Sequence, residues 1–178
     1  MELEFKPVVA GDIDRLRPFY GLRPNKTCDS VFLDSFLWKD YYHVQCAVSE
    51  GRAVLWLMEK DGQVSTAMPL CREEDLPYFF QQMVDYFSGV LHKPFYISLA
   101  DEEAVQCLNL DPALFEVEEQ VDLKDYLYSG EELRKLEGKK FVKKRNHLNG
   151  FKRTYEGRYE YRRLCCSDRH EVWQFMVR

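Results

Sequence analysis

Three features of the sequence predict an α/β (α+β) fold. Three strand-like segments, HVQCAVSE, RAVLWLMEK and QVSTAMPL, follow one another and are joined at Glu50-Gly51 and Asp61-Gly62, residue pairs suited to hairpin turns. A helical period runs through EEDLPYFFQQMVDYFSGVL as far as Gly89, and beyond it helical and extended patterns alternate. A chain of 178 residues, 46% hydrophobic and 15% aromatic, has enough apolar material to bury a core.

Taken in order, LEFKPV alternates as a short strand, and Gly11-Asp12 opens a helix through Arg15, Leu16, Phe19 and Tyr20 that GLRPNKTCDS breaks. Ser30 is placed to cap SVFLDSFLWKDYY, in which Phe32, Phe36 and Tyr41 fall near helical spacing. The three strands then form an antiparallel meander. Tyr78, Phe79, Phe80, Tyr86 and Phe87 of the following helix recur at helical spacing and read as core. PFYISLA is predicted as a strand, DEEAVQCLNL as a helix and LFEVEEQVDL as a strand. Tyr126 and Tyr128 lie in an extended DYLY segment, Ser129 caps SGEELRKLE, and Gly138 interrupts before a basic run. GRYEYRRL reads as a last strand and SDRHEVWQFMVR as a last, N-capped helix, with a longer polypeptide expected beyond it.

The basic run, GKKFVKKRNHLNGFKR, places seven Lys or Arg in sixteen positions with no acid. The chain as a whole carries net charge -5, yet residues 134–178 hold 14 basic against 5 acidic side chains and residues 1–133 hold 11 against 25. Such a patch focuses positive potential and concentrates phosphates or anionic headgroups over about a Debye length of roughly 8 Å. A second reading packs the same helix against the acidic part of its own protein. On a helical wheel Phe141, Leu148 and Phe151 share one face, expected to dock, while Lys139, Lys143, Asn146 and Arg153 share another, expected to be solvated.

No stretch approaches the roughly 18 apolar residues of a membrane span, and the first residues lack the features of a signal peptide, so a soluble, cytoplasmic protein is expected. Cys28, Cys46, Cys71, Cys107, Cys165 and Cys166 form no CxxC pair and read as reduced thiols, with adjacent Cys165 and Cys166 as packing residues. The four histidines show no ligand spacing, so no metal is expected, and His147, among cations, reads as a surface residue.

The segment DYLYSGEELRKLEGKKFVKKRNHLNGFKR resembles the signature of the phosphatidylglycerol lysyltransferase C-terminal-domain family, broadly D-Y-[IL]-Y, L-x-x-L-x-G-[KR]-[KR] and K-[KR]-N-x-[IL]-N-x-F. FLDSFLWKDYY, with Trp38, fits the N-terminal half of that family. The resemblance implies a tandem acetyltransferase-like (GNAT-like) architecture with a mixed, mostly antiparallel central sheet flanked by helices. It is similar to the Fem-type aminoacyltransferases, bacterial proteins that take aminoacyl-tRNA as donor. Residues 1–157, including the basic helix 139–153, would then be a first GNAT-like domain, and 158–178 the start of a second.

Three departures bear on function. The membrane flippase portion of the lysyltransferases is absent, which puts a lipid acceptor in doubt. The sequence has no Q/R-x-x-G-x-G/A turn to cradle a pyrophosphate on backbone N–H groups, which disfavours coenzyme A, and no cofactor is expected. The second domain that would complete the cleft is expected to lie mostly outside these residues.

Under the resemblance an acceptor amine or hydroxyl attacks an activated ester, a reaction that needs positioning and oxyanion stabilisation more than a Ser/His/Asp or Cys/His set. No residue is singled out as catalytic. Lys139, Lys140, Lys143, Lys144 and Arg145 are the candidate phosphate contacts, Arg145 with bidentate capacity, while Asn146 and Asn149 either donate to the ligand or cap local backbone. Asp125, Tyr126 and Tyr128 are candidate orienting residues, the tyrosines with a structural reading beside it. The expected partner is an anionic ligand, tRNA or a phosphorylated small molecule, with peripheral membrane contact and the chain's own second domain as further candidates. A non-catalytic anion-binding or regulatory module of the same shape is the alternative to a transferase.

Overall fold

The computed structural model describes residues 3–23 and 31–177. Cys28 and the expected cap Ser30 lie outside them. Two compact units divide the chain, Met1–Asp125 and Tyr126–Arg178. Among the described residues there are four strands and seven α-helices, a mixed α/β composition.

In the first unit β1 (Lys6–Pro7), β2 (Gln45–Ser49), β3 (Ala53–Lys60) and β4 (Gln63–Ser65) form an antiparallel sheet in that order. The meander read from the sequence is therefore present. Asp61 and Gly62 both have positive φ, 51° and 81°, between the paired ends Lys60 and Gln63, the twist that a two-residue hairpin loop requires. Glu50 and Gly51 are also left-handed, and Arg52 N–H closes their turn on the Ser49 carbonyl.

Strand β3 runs through the middle of the core, and its residues alternate between two apolar clusters. Ala53 and Leu55 face α3 (Leu76–Tyr86), whose Leu76, Phe79 and Met83 form one stripe with Phe87 beyond the helix end. Val54 and Trp56 face the opposite way, toward Val8, Phe32, Val44, Cys46 and Leu16 of α1 (Ile13–Leu16). A strand buried on both faces reads as a continuous apolar run, and AVLW is one. Of the aromatic set expected to be core, Phe79, Phe80 and Phe87 are buried and Tyr86 packs against the first cluster. Tyr78 is exposed and donates a hydrogen bond to Glu50.

The remaining helices of this unit are α2 (Phe32–Leu37) and α4 (Glu102–Leu108). Asp101 caps α4 by accepting from Ala104 N–H at 2.9 Å. Two strand expectations fail here. PFYISLA contributes a single parallel bridge, Ile97 to Thr66, with Thr66 N–H donating to the Tyr96 carbonyl. LFEVEEQVDL pairs with nothing and holds only a turn at Val121–Leu123, with Leu114, Val117 and Val121 turned to solvent. Alternation alone does not make a strand when no partner edge is in reach. LEFKPV is trimmed to its two paired residues, Lys6 and Pro7.

The second unit contains α5 (Gly130–Lys135), α6 (Val142–Thr154) and α7 (Arg169–Met176). Ser129 caps α5 as expected, its hydroxyl accepting from Glu132 N–H at 3.4 Å, and Gly138 has φ 81°, which explains the break before the basic run. GRYEYRRL forms no strand. Cys165 and Cys166 are exposed rather than packed, and Asp168, which accepts from Cys165 N–H, closes the 3-10 turn Cys166–Asp168 that leads into α7. Only Phe141 and Asp168 are buried among the described residues of this unit.

Candidate functional site

The basic run becomes a short 3-10 turn, Lys139–Phe141, leading into α6. Its docking face is narrower than the wheel implied. Phe141 is buried, whereas Leu148 and Phe151 remain 42% and 46% exposed. Phe151 packs within the unit against Tyr155, tilted by 36°, and edge-on against Tyr159, with ring centroids 4.9 and 5.0 Å apart.

The candidate cations separate into two groups. Lys140 Nζ is held by Glu132 Oε1 at 2.7 Å and lies 5.1 Å from the centre of the Phe141 ring. Arg145 is half-buried, and its guanidinium donates to the carbonyls of Leu136 and Gly138, the second at 2.9 Å. The first is the carbonyl of the residue that ends α5 and the second, which also accepts from Phe141 N–H, opens the 3-10 turn, so Arg145 ties α6 back to the segment joining it to α5. Lys139, Lys143 and Lys144 are exposed and have no ion-pair partner among the described residues. Asn146, His147 and Asn149 are exposed beside them. The surface offered to an anion is therefore built from Lys139, Lys143 and Lys144, with the two asparagines as neutral donors.

Tyr126 and Tyr128 occupy the segment immediately before the Ser129 cap, both exposed, with ring centroids 6.5 Å apart and planes inclined by 24°. Asp125 is exposed at the end of the first unit.

Sequence reasoning missed two features of the first unit. One is a cleft of about 310 Å³ lined by Leu3, Glu4, Lys6, Arg15 and residues 46–50, where β1 stops pairing and leaves the outer edge of β2 open beyond Cys46. Arg15 is bound there by Asp12 at 2.7 Å, so its charge is already answered. The other is a buried ion pair, Arg23 to Asp101, bidentate at 2.8 and 2.9 Å. Neither had a local signal, because the partners are brought together by tertiary packing.

Little in the site points to nucleophilic catalysis. Burial pushes the Cys46 thiol up despite Arg15, and pushes Cys71 to about 11, so both stay protonated near neutral pH and are poor nucleophiles. Among the described residues, no Ser, Thr or Cys side chain hydrogen-bonds to a histidine. Nor does any group of three His, Cys, Asp or Glu side chains among them form a metal site, and no helix is long and apolar enough to cross a membrane.

Comparison with known proteins gives the chain its place. A crystal structure of a conserved protein of unknown function from Bacteroides thetaiotaomicron superposes with a TM-score of 0.81 at 24% identity, covering 99% of this chain. The chain spans 58% of the length of that protein. No curated protein matches it. The sequence matches the family described as phosphatidylglycerol lysyltransferase, C-terminal, over residues 21–176, and with nearly the whole chain inside that match, the protein belongs to this family.

Proposed function

We propose that the chain is part of an aminoacyltransferase that takes its acyl group from a phosphate-bearing donor, aminoacyl-tRNA, and holds that donor along α6. The observation that carries the proposal is the row of exposed lysines Lys139, Lys143 and Lys144 on a helix inside the family match. Family membership supports the reaction class, and the charge supports the donor class. In this reading the chain has a GNAT-like architecture in which residues 1–157 form the first domain and 158–178 begin the second. An acceptor amine or hydroxyl attacks the ester carbonyl of the donor, the C–O bond to the tRNA ribose breaks, and the ribose hydroxyl leaves with the proton the acceptor gives up.

The role of this chain's residues is to position the donor. Lysines are point charges that take phosphates without demanding one geometry, which suits a backbone whose sequence is not being read. Arg145, Lys140 and Glu132 hold the helix that presents them.

Filter binding of charged tRNA to the protein across a salt series tests the reading. Binding is expected at low salt, with each phosphate neutralised adding about 0.7 to 0.9 to the slope of log K against log salt. Lys143→Glu with Lys144→Glu is expected to abolish it, and coenzyme A is expected not to compete. Undetectable binding at low salt overturns the proposal. Tight tRNA binding with no transfer to any amine or hydroxyl acceptor would instead favour a non-catalytic binding module.

A further inference from the structure

Tyr126, Leu127 and Tyr128 form the most exposed apolar tripeptide next to the basic surface, with Tyr126 88% and Tyr128 57% exposed. Two neighbouring tyrosines left in water, in the segment that leads into α5 and the basic run, call for an explanation, because rings of that size normally contribute to a core or an interface. Their geometry supplies one. The two rings are inclined by only 24° with centroids 6.5 Å apart. Stacked bases repeat at about 3.4 Å, so a flat ring held between two others needs a gap of roughly 6.8 Å. The tyrosine centroids, at 6.5 Å, set the upper limit of the gap between the two ring planes, and a small opening of the exposed side chains brings them to that separation.

Other exposed aromatics in the protein are arranged differently. Trp38, Tyr41 and Tyr42 also reach solvent, but Tyr41 and Tyr42 meet edge to face at 89°, and Lys60 Nζ sits 3.9 Å from the centre of the Tyr41 ring. That cluster has its faces filled from within the chain. Phe32 and Phe36 are near-parallel at 15°, but Phe32 is buried in the core.

The tyrosine pair is also tied to the basic run. Ser129 follows Tyr128 directly and accepts from Glu132 N–H, while the Glu132 side chain holds Lys140 Nζ at 2.7 Å. Lys140 is therefore linked to the tyrosine segment through Glu132 and Ser129, and Lys139 and Lys143 are its neighbours along the run. Two acids of α5 are themselves engaged, Glu132 by Lys140 and Glu131 by Lys135.

We propose that Tyr126 and Tyr128 clamp one unpaired base between their rings while Lys139, Lys143 and Lys144 take the phosphates that follow, so that the ligand recognised is a single-stranded stretch of nucleic acid. This rests on the reading of α6 as a donor-binding helix and adds to it the strandedness of what is bound. Aromatic stacking tolerates any base, and the lysines read only backbone charge, so the site selects single strands over duplex without selecting sequence.

The test uses the full chain and a short fluorescent oligoadenylate RNA, a blunt RNA duplex, inorganic tripolyphosphate, and vesicles rich in phosphatidylglycerol. The single strand is expected to bind more tightly than the duplex, and a 2-aminopurine within it is expected to lose emission as it stacks. Replacing both tyrosines by Ala or by Leu should weaken the single strand roughly five- to hundredfold, with tripolyphosphate binding and thermal stability unchanged. Phe at both positions keeps the ring faces and should keep the affinity. An unchanged affinity in the Ala and Leu variants, equal binding of duplex and single strand, or binding of the vesicles alone overturns the clamp. Loss through Lys143→Glu and Lys144→Glu with no effect of the tyrosines overturns the clamp and leaves the donor-binding helix standing. If neither tRNA nor any oligonucleotide binds at low salt, both proposals fall.

Discussion

Arg23 and Asp101 stand 78 positions apart and meet as a bidentate pair with both side chains only 7% exposed. A buried guanidinium and carboxylate each lose several kcal/mol of hydration, which the two parallel hydrogen bonds and the Ala104 N–H repay in this geometry. Removing one partner strands the other charge. Arg23→Leu is therefore expected to cost about 3 kcal/mol of stability, read as a drop in the denaturant midpoint, whereas a loss under 1 kcal/mol would mean that water reaches the pair. The pair also sets a pH dependence. Burial by itself pushes the Asp101 carboxyl up, but the Arg23 guanidinium and the Ala104 N–H outweigh burial and hold it below the usual carboxylate range. A depressed folded-state value stabilises the fold above the unfolded carboxylate pKa of about 3.9, and that contribution is lost as pH falls through the folded value. Asp101→Asn keeps Oδ1 as an acceptor for the Ala104 cap, removes the charge, and puts an NH2 donor where Oδ2 accepted from Arg23. The difference in Tm between the natural chain and Asp101→Asn is expected to be constant from about pH 7 to 5 and to shrink below about pH 4, while a gap that persisted under acid would assign the stabilisation to packing.

Within α5 and α6 the same charge type does two different things, and its neighbours decide which. Arg145 donates to the carbonyls of Leu136 and Gly138 in the segment joining α5 to α6, while Lys144, one residue earlier, points to solvent with no ion-pair partner among the described residues. Arg145→Gln is expected to lower stability by about 1 kcal/mol and to speed amide exchange in α5, with anion binding weakened only modestly. Lys144→Gln is expected to do the reverse, weakening binding without moving Tm, and the pair of melts with the pair of binding isotherms checks both. The sequence could not separate them, since seven basic residues in sixteen positions look alike until the helix ends are located. What was legible depended on local chemistry: the Asp61-Gly62 hairpin, the Ser129 cap, the break at Gly138 and the apolar stripe of α3 each carry their instruction within a few residues. What failed depended on distant partners. LFEVEEQVDL and GRYEYRRL alternate as strands do yet pair with no edge, and the Arg23–Asp101 pair is made by packing that no local pattern announces.

Across the whole chain the apolar core and the positive charge are kept apart. The first unit holds both hydrophobic clusters, with Leu55, Val54, Phe79 and Phe87 fully buried, whereas the described part of the second unit buries only Phe141 and Asp168 and carries most of the basic side chains. Burial of apolar area is the main favourable term in folding, at about 25 cal/mol per Å², so the second unit has little of its own to oppose the chain entropy of ordering three helices. Helix propensity and single ion pairs such as Lys140–Glu132 add only tenths of a kcal/mol each at an exposed surface. Stability is therefore expected to be uneven along the sequence. In native-state hydrogen exchange the amides of β3 and α3 should exchange only through global unfolding, with a denaturant dependence equal to that of the equilibrium transition, while those of α5, α6 and α7 should exchange through local opening that denaturant barely affects. A nucleic acid bound along α6 would then slow exchange in α5 and α6 and leave β3 unchanged, since a ligand stabilises only the openings that release it. Equal protection of α6 and β3 in the free chain would show instead that the second unit is ordered by contacts as strong as those of the core, and the donor would meet a helix already rigid.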